Sequence, residues 1–87
     1  MEIIFTKRFK KHYNLAPQQI KKGFEERLEV FLKDRYAPIF NNHGLKGELR
    51  NYRSINISGD YRAIFKESKQ GEIAVFVLLG KHSELYK

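Results

Sequence analysis

The sequence predicts an α+β domain in which two helices pack on one face of a four-stranded, mainly antiparallel sheet, in the order β-α-α-β-β-β. Two observations predict this fold. An apolar stripe at helical spacing follows Pro17. Three strand-like runs are separated by short turns rich in glycine and polar residues, at 52–57, 61–67 and 72–79. Strands joined by short turns pair as antiparallel hairpins, so the helices are left to cover one face of the sheet.

The first half of the chain carries one strand and both helices. Residues 2–5 are predicted to form a strand, and Thr6 is a suitable N-cap for a helix that runs to about Tyr13. A second helix is predicted from Pro17 to near Tyr36, since proline is favoured in the first turn. Its apolar stripe consists of Ile20, Phe24, Leu28, Phe31 and Leu32.

The second half begins with a loop and ends with a buried strand. Residues 37–51 contain many proline, glycine and asparagine residues, which predicts an ordered loop pinned to the core by its apolar side chains. Residues 73–79 are almost entirely apolar. A strand of this composition is covered on both faces, so we expect it to be internal to the sheet.

The turn around Gly59 decides which side chains of two strands share a face. A two-residue loop, Gly59–Asp60, would place Arg62 among apolar residues without an acidic partner, which is costly. A three-residue loop that includes Ser58 directs Arg62 to the opposite face. We therefore predict the three-residue loop.

That register has two consequences. It pairs Ile57 with Tyr61 and Ile55 with Ala63, beneath the helices. It also leaves a set of polar residues on the opposite, solvent-exposed face, which is called the polar face below: Ser54, Asn56, Arg62 and Lys66.

Composition limits the class of protein. The 87 residues suffice for one domain, spanning 1–87, and a formal net charge of +7 favours partners with negative charge, nucleic acid first. With no cysteine there is neither a disulfide nor a thiolate metal site, and the three histidines have no ligand spacing, so no metal or other cofactor is expected. No apolar stretch is long enough for a membrane span, and the cytoplasm is the expected compartment.

Four motifs together resemble the RelE/ParE toxin superfamily, and within it the YafQ-like and RelE-like messenger RNA interferases. The resemblance covers nearly the whole chain. The motifs are His43-Gly44-Leu45-Lys46-Gly47, Tyr52-Arg53, Gly59-Asp60-Tyr61-Arg62 and Gly80-Lys81-His82-Ser83-Glu84-Leu85-Tyr86.

The resemblance implies the toxin of a type II toxin-antitoxin system. Such a toxin is an endoribonuclease that cleaves messenger RNA on the ribosome without metal, with the ribose 2′-hydroxyl as internal nucleophile. A cognate antitoxin, expected to be acidic, neutralises it.

The resemblance also suggests which residues carry out the chemistry. The YafQ-like pattern implies functional roles for His43, Asp60, His82 and Tyr86, and the RelE-like pattern for Arg62 and Tyr86. These residue types fit, because histidine, aspartate and tyrosine move protons while arginine and lysine stabilise phosphoryl charge. The candidate RNA contacts are Lys46, Arg53, Lys81, Asn56 and Tyr61.

Two departures from the YafQ-like pattern keep other functions open. Asn56 stands where a second histidine is common, and Leu78 stands where a catalytic arginine usually precedes the glycine. One alternative is a ParE-like toxin that inhibits gyrase and has no ribonuclease activity. Another is a degenerate, nontoxic module that binds only RNA or antitoxin.

Overall fold

The computed structural model, which describes residues 1–85, contains one five-stranded sheet in the order β1-β5-β4-β3-β2. β1 runs parallel to β5 and the other neighbours are antiparallel. The elements are β1 (Glu2–Phe5), α1 (Lys7–Leu15), α2 (Gln18–Lys33), β2 (His43–Gly44), β3 (Arg53–Ser58), β4 (Tyr61–Ser68), β5 (Ile73–Lys81) and α3 (His82–Leu85). The predicted fold class is confirmed. Two short elements, β2 and α3, were not predicted.

Both long helices begin where the sequence predicts. The Thr6 hydroxyl accepts the Phe9 N–H at 3.1 Å and so caps α1. α2 ends at Lys33, earlier than the predicted end near Tyr36. Asp34 explains the difference, because its backbone is extended and its carboxylate accepts the Tyr36 N–H at 3.0 Å.

Aromatic rings fill the space between the helices and the sheet. The Phe76 ring centroid lies 5.7 Å from that of Phe24 on α2 and 5.2 Å from that of Phe65 on β4. The predicted helix-covered face is confirmed, since Ile55, Ile57, Ala63 and Phe65 all belong to the buried core. β5 is internal to the sheet, as its composition predicted.

The hairpin register places side chains on the predicted faces. Ile55 pairs with Ala63, and Asn56 pairs with Arg62. Since side chains alternate along a strand, Arg62 lies on the face opposite the helices.

The turn itself differs from the prediction. Tyr61 pairs with Ser58 rather than with Ile57, and the register shifts between Asn56 and Ser58. The loop is therefore the two-residue turn, with Gly59 at a φ of 54°. A β-bulge absorbs the extra residue, so the short loop and the predicted placement of Arg62 are both satisfied.

The centre of the polar face is covered rather than open. Ser54 and Ile64 are both 0 % exposed, although they lie on the face opposite the helices. On this side the loop before β3 and strand β5 border one depression, which is lined by Thr6, Arg8, Leu49, Tyr52, Val77 and Leu78. The expectation of an open polar face is wrong at its middle, where Ser54 and Ile64 are inaccessible to solvent.

Within residues 1–85, none of the helices is both long and apolar enough to cross a membrane.

Candidate functional site

Strand pairing brings three of the predicted site segments together. Arg62 on β4 has Asn56 on one side and Gly80 on the other. The His82 N–H donates to the Asp60 carbonyl at 2.9 Å. The β3–β4 turn, Arg62 and the segment that begins at Gly80 are therefore direct neighbours.

The Arg62 side chain is half-buried and is held at the turn. Its Nη1 donates to the Gly59 carbonyl at 3.0 Å and to the Tyr61 carbonyl at 3.2 Å. Its Nε and Nη2 make no hydrogen bond with the described part of the chain. The guanidinium is thus fixed in place with donors left for an anion.

The segment Gly80–Leu85, called the terminal segment below, turns back from the end of β5. Glu84 accepts the Lys81 N–H at 3.1 Å, the reciprocal half of a capping box for α3. Gly80 makes room for the turn, since a Cβ there would lie 3.3 Å from Leu85 Cδ2. The terminal segment presents Lys81 and His82 as exposed side chains.

His43 lies on the outermost strand, paired with Ser54. Its Nδ1 is 2.7 Å from the Asn41 carbonyl. Since a carbonyl can only accept, Nδ1 carries the proton, and in the neutral ring Nε2 keeps its lone pair. β2 is separated from β4 by β3, and His43 is in register with Ile64 rather than with Arg62, so its Cα lies about 12 Å from that of Arg62. Lys46, three residues further on, is exposed.

Two of the predicted RNA contacts lie away from the polar face. Arg53 pairs with Phe65 on the helix side, where it donates to Asn42 Oδ1 at 2.7 Å and lies 3.9 Å from a Glu67 carboxylate oxygen. Tyr61 packs against the core. An RNA strand on the polar face would not meet these side chains, so we assign both a structural role. The alternation of side chains along β3 and β4 was enough to predict that Arg53 and Tyr61 lie on the helix side.

The two departures from the YafQ-like pattern occupy different surroundings. Asn56 is half-buried beside Arg62, and its Oδ1 is a buried acceptor without a partner in residues 1–85. Leu78 pairs with Ile64 and lines the depression beneath the loop, so an apolar contact fills the place of the expected arginine. Tyr86 lies outside the described residues.

The sequence did not reveal the role of His12. This residue of α1 is half-buried, and its Nδ1 lies 3.1 Å from the Leu79 nitrogen. The available signal was its position three residues after the buried Phe9, on the same side of the helix.

No three His, Asp or Glu side chains within residues 1–85 are grouped closely enough to hold a metal ion.

Comparisons with known proteins identify the family of this chain and structures that share its fold. Residues 1–87 match the family described as the bacterial toxin of type II toxin-antitoxin systems, YafQ. The crystal structure of YafQ from E. coli superposes with a TM-score of 0.82 at 17% identity, covering 99% of this chain and 98% of that chain. The toxin-antitoxin complex RelBE2 from Mycobacterium tuberculosis gives 0.75 at 17% identity, with 93% and 96% covered. The E. coli DinJ-YafQ complex gives 0.75 at 20% identity, with 99% and 97% covered. No curated protein sequence matches the chain.

Proposed function

Because the chain belongs to the YafQ family of bacterial toxins of type II toxin-antitoxin systems, we propose that it is an endoribonuclease that cleaves messenger RNA. It acts in the cytoplasm, on the ribosome, and needs no metal. The ribose 2′-hydroxyl of the substrate is the nucleophile.

One observation carries the proposal: Arg62 lies beside Gly80, while the backbone of His82 is bonded to Asp60. This arrangement supports the proposal because it brings the Arg62 strand and the backbone of the exposed His82 to the same end of the sheet. Phosphoryl transfer depends mainly on positioning and charge stabilisation, so these are the groups that the reaction needs. Arg62 holds the scissile phosphate, with Lys46 and Lys81 at the rim.

The exposed histidines divide the proton transfers between them. His43 suits the role of general base, because its Nε2 lone pair can take the proton of the 2′-hydroxyl. O2′ then bonds to phosphorus as the bond from phosphorus to the 5′ oxygen breaks, leaving a 2′,3′-cyclic phosphate. His82 protonates the departing 5′ oxygen. Asp60 and Tyr86 share in these transfers, or Tyr86 stacks on an RNA base.

The remaining polar groups position the substrate. Asn56 lies next to Arg62 and can contact the ribose or base beside the phosphate.

The proposed protein partner is a cognate acidic antitoxin. The DinJ-YafQ and RelBE2 structures are toxin-antitoxin complexes, and the present chain carries a net charge of +7 that an acidic segment would neutralise. Antitoxin binding should therefore weaken as salt rises. Raising the salt concentration from about 50 to about 500 mM shortens the Debye length roughly threefold. An affinity that does not change over this range would contradict the assignment.

The function is tested by mapping RNA ends after a brief pulse of expression. Wild type should create new ends inside messages, and a His82→Ala, Tyr86→Ala double variant should not. Lys33→Ala, at the exposed end of α2, is the matched control and should behave as wild type.

Three outcomes would overturn the proposal. Equal cleavage by the double variant would remove the proposed roles of His82 and Tyr86. Gyrase-dependent DNA damage without new RNA ends would favour the ParE-like alternative. Harmless expression of folded wild type would indicate the degenerate module, for which Asn56 and Leu78 give a reason.

A further inference from the structure

His12 connects the helix layer to the end of β5, at a point where the sheet provides no partner. β1 ends at Phe5, opposite Phe76, so β5 has no neighbouring strand on that side further along. Leu79 is buried there, and its N–H donates to His12 Nδ1 at 3.1 Å. A ring nitrogen that accepts a hydrogen bond carries no proton, so this imidazole is neutral with its proton on Nε2.

The bond lies directly before the terminal segment. Leu79 is followed by Gly80, after which Glu84 accepts the Lys81 N–H and the Asp60 carbonyl accepts the His82 N–H. The backbone from 79 to 82 is therefore held by three different elements. Of these three hydrogen-bond acceptors, only His12 belongs to the helices that cover the sheet.

Burial and two neighbouring cations favour the neutral form of His12. It borders a cavity of about 350 Å³ together with Arg8 on α1, Tyr61 on β4 and Glu84 on α3. Burial lowers the pKa of His12 below its usual 6.5, Arg8 and Lys11 lower it further, and Glu84 opposes them. Burial and the neighbouring cations therefore keep Nδ1 unprotonated, so that it can accept the hydrogen bond from Leu79.

We propose that His12 is a positioning residue for the candidate site: its unprotonated Nδ1 anchors the end of β5 and thereby sets the place of Lys81 and His82. This inference rests on the function proposed above for its effect on cleavage. The contact itself can be tested without RNA.

The test compares two substitutions at one position. The Oδ1 of His12→Asn can occupy the place of Nδ1 and accept the same bond, whereas His12→Ala leaves the Leu79 N–H without a partner. We expect His12→Ala to lower kcat for RNA cleavage about tenfold, with KM nearly unchanged, because a displaced catalytic group costs rate rather than affinity. His12→Asn should restore kcat to within about twofold of wild type.

Amide hydrogen exchange measures the anchor directly. His12→Ala should speed exchange at Leu79, Lys81 and His82, and His12→Asn should not. Lys10→Ala, an exposed neighbour on α1, is the matched control and should leave these amides unchanged.

Each outcome has a defined meaning. If wild type cleaves no RNA, the function proposed above fails, while faster exchange in His12→Ala would still establish the anchor. Unchanged exchange in His12→Ala overturns the inference. So does loss of cleavage to the same extent in both variants, since that result would show that the accepting atom is not what matters.

Discussion

At the scale of single residues, the sequence predicts which face a side chain lies on better than it predicts what the side chain touches. Alternation along the hairpin was enough to place Asn56 and Arg62 together on one face. The same alternation assigns Arg53 to the helix side. Arg53 was nevertheless chosen as a candidate RNA contact, because it belongs to a motif of the family that the chain resembles. The spacing of His12 from Phe9 indicates the inner side of α1, but it does not indicate that the partner of His12 is the Leu79 N–H.

The buried imidazole makes the stability of the fold depend on pH. The pKa of His12 is lower in the folded chain than its usual 6.5, so the unfolded chain binds more protons as pH falls through that value. The free energy of unfolding should therefore decrease below about pH 6.5 in wild type, and less so in His12→Asn. Urea denaturation at a series of pH values measures both curves. Parallel curves for the two proteins would mean that His12 does not contribute.

At the scale of elements, propensity and periodicity predicted both long helices and the three central strands. The short elements had no such signal. β2 has two residues and exists because His43 and Gly44 pair with β3, while α3 is one turn held by Glu84. A segment this short is decided by its tertiary partners, since one isolated turn is unfavourable. The burial of Ser54 and Ile64 on the polar face could not be predicted either, because it also depends on tertiary contacts.

Two glycines test these local packing arguments with the same substitution. Gly80→Ala should destabilise the fold by up to about 1 kcal/mol, because the new Cβ would lie 3.3 Å from Leu85 Cδ2 and displace that side chain. Gly23→Ala should stabilise it by up to about 1 kcal/mol, because the helical position has room, with Ser58 Cβ 3.9 Å away. Urea denaturation measures both. Changes of the same sign would contradict the packing described for α2 or for the terminal segment.

At the scale of the whole molecule, the fold was predictable because composition, strand order and helix periodicity all agreed on one layer of helices over one sheet. The sheet also explains how groups distant in sequence converge. The β3–β4 turn, Arg62 and the terminal segment meet at one end of the sheet, while His43 joins the same sheet through β2. The proposed reaction needs that convergence.

The most direct test of the proposed reaction is cleavage of an RNA in which the nucleotide 5′ to the mapped break carries a 2′-deoxyribose. We predict that purified wild type, with ribosomes, cuts the unmodified RNA to leave a 2′,3′-cyclic phosphate and a 5′-hydroxyl, and that the single deoxy substitution abolishes the cut. Cleavage of the substituted RNA at the same place and rate would contradict the account.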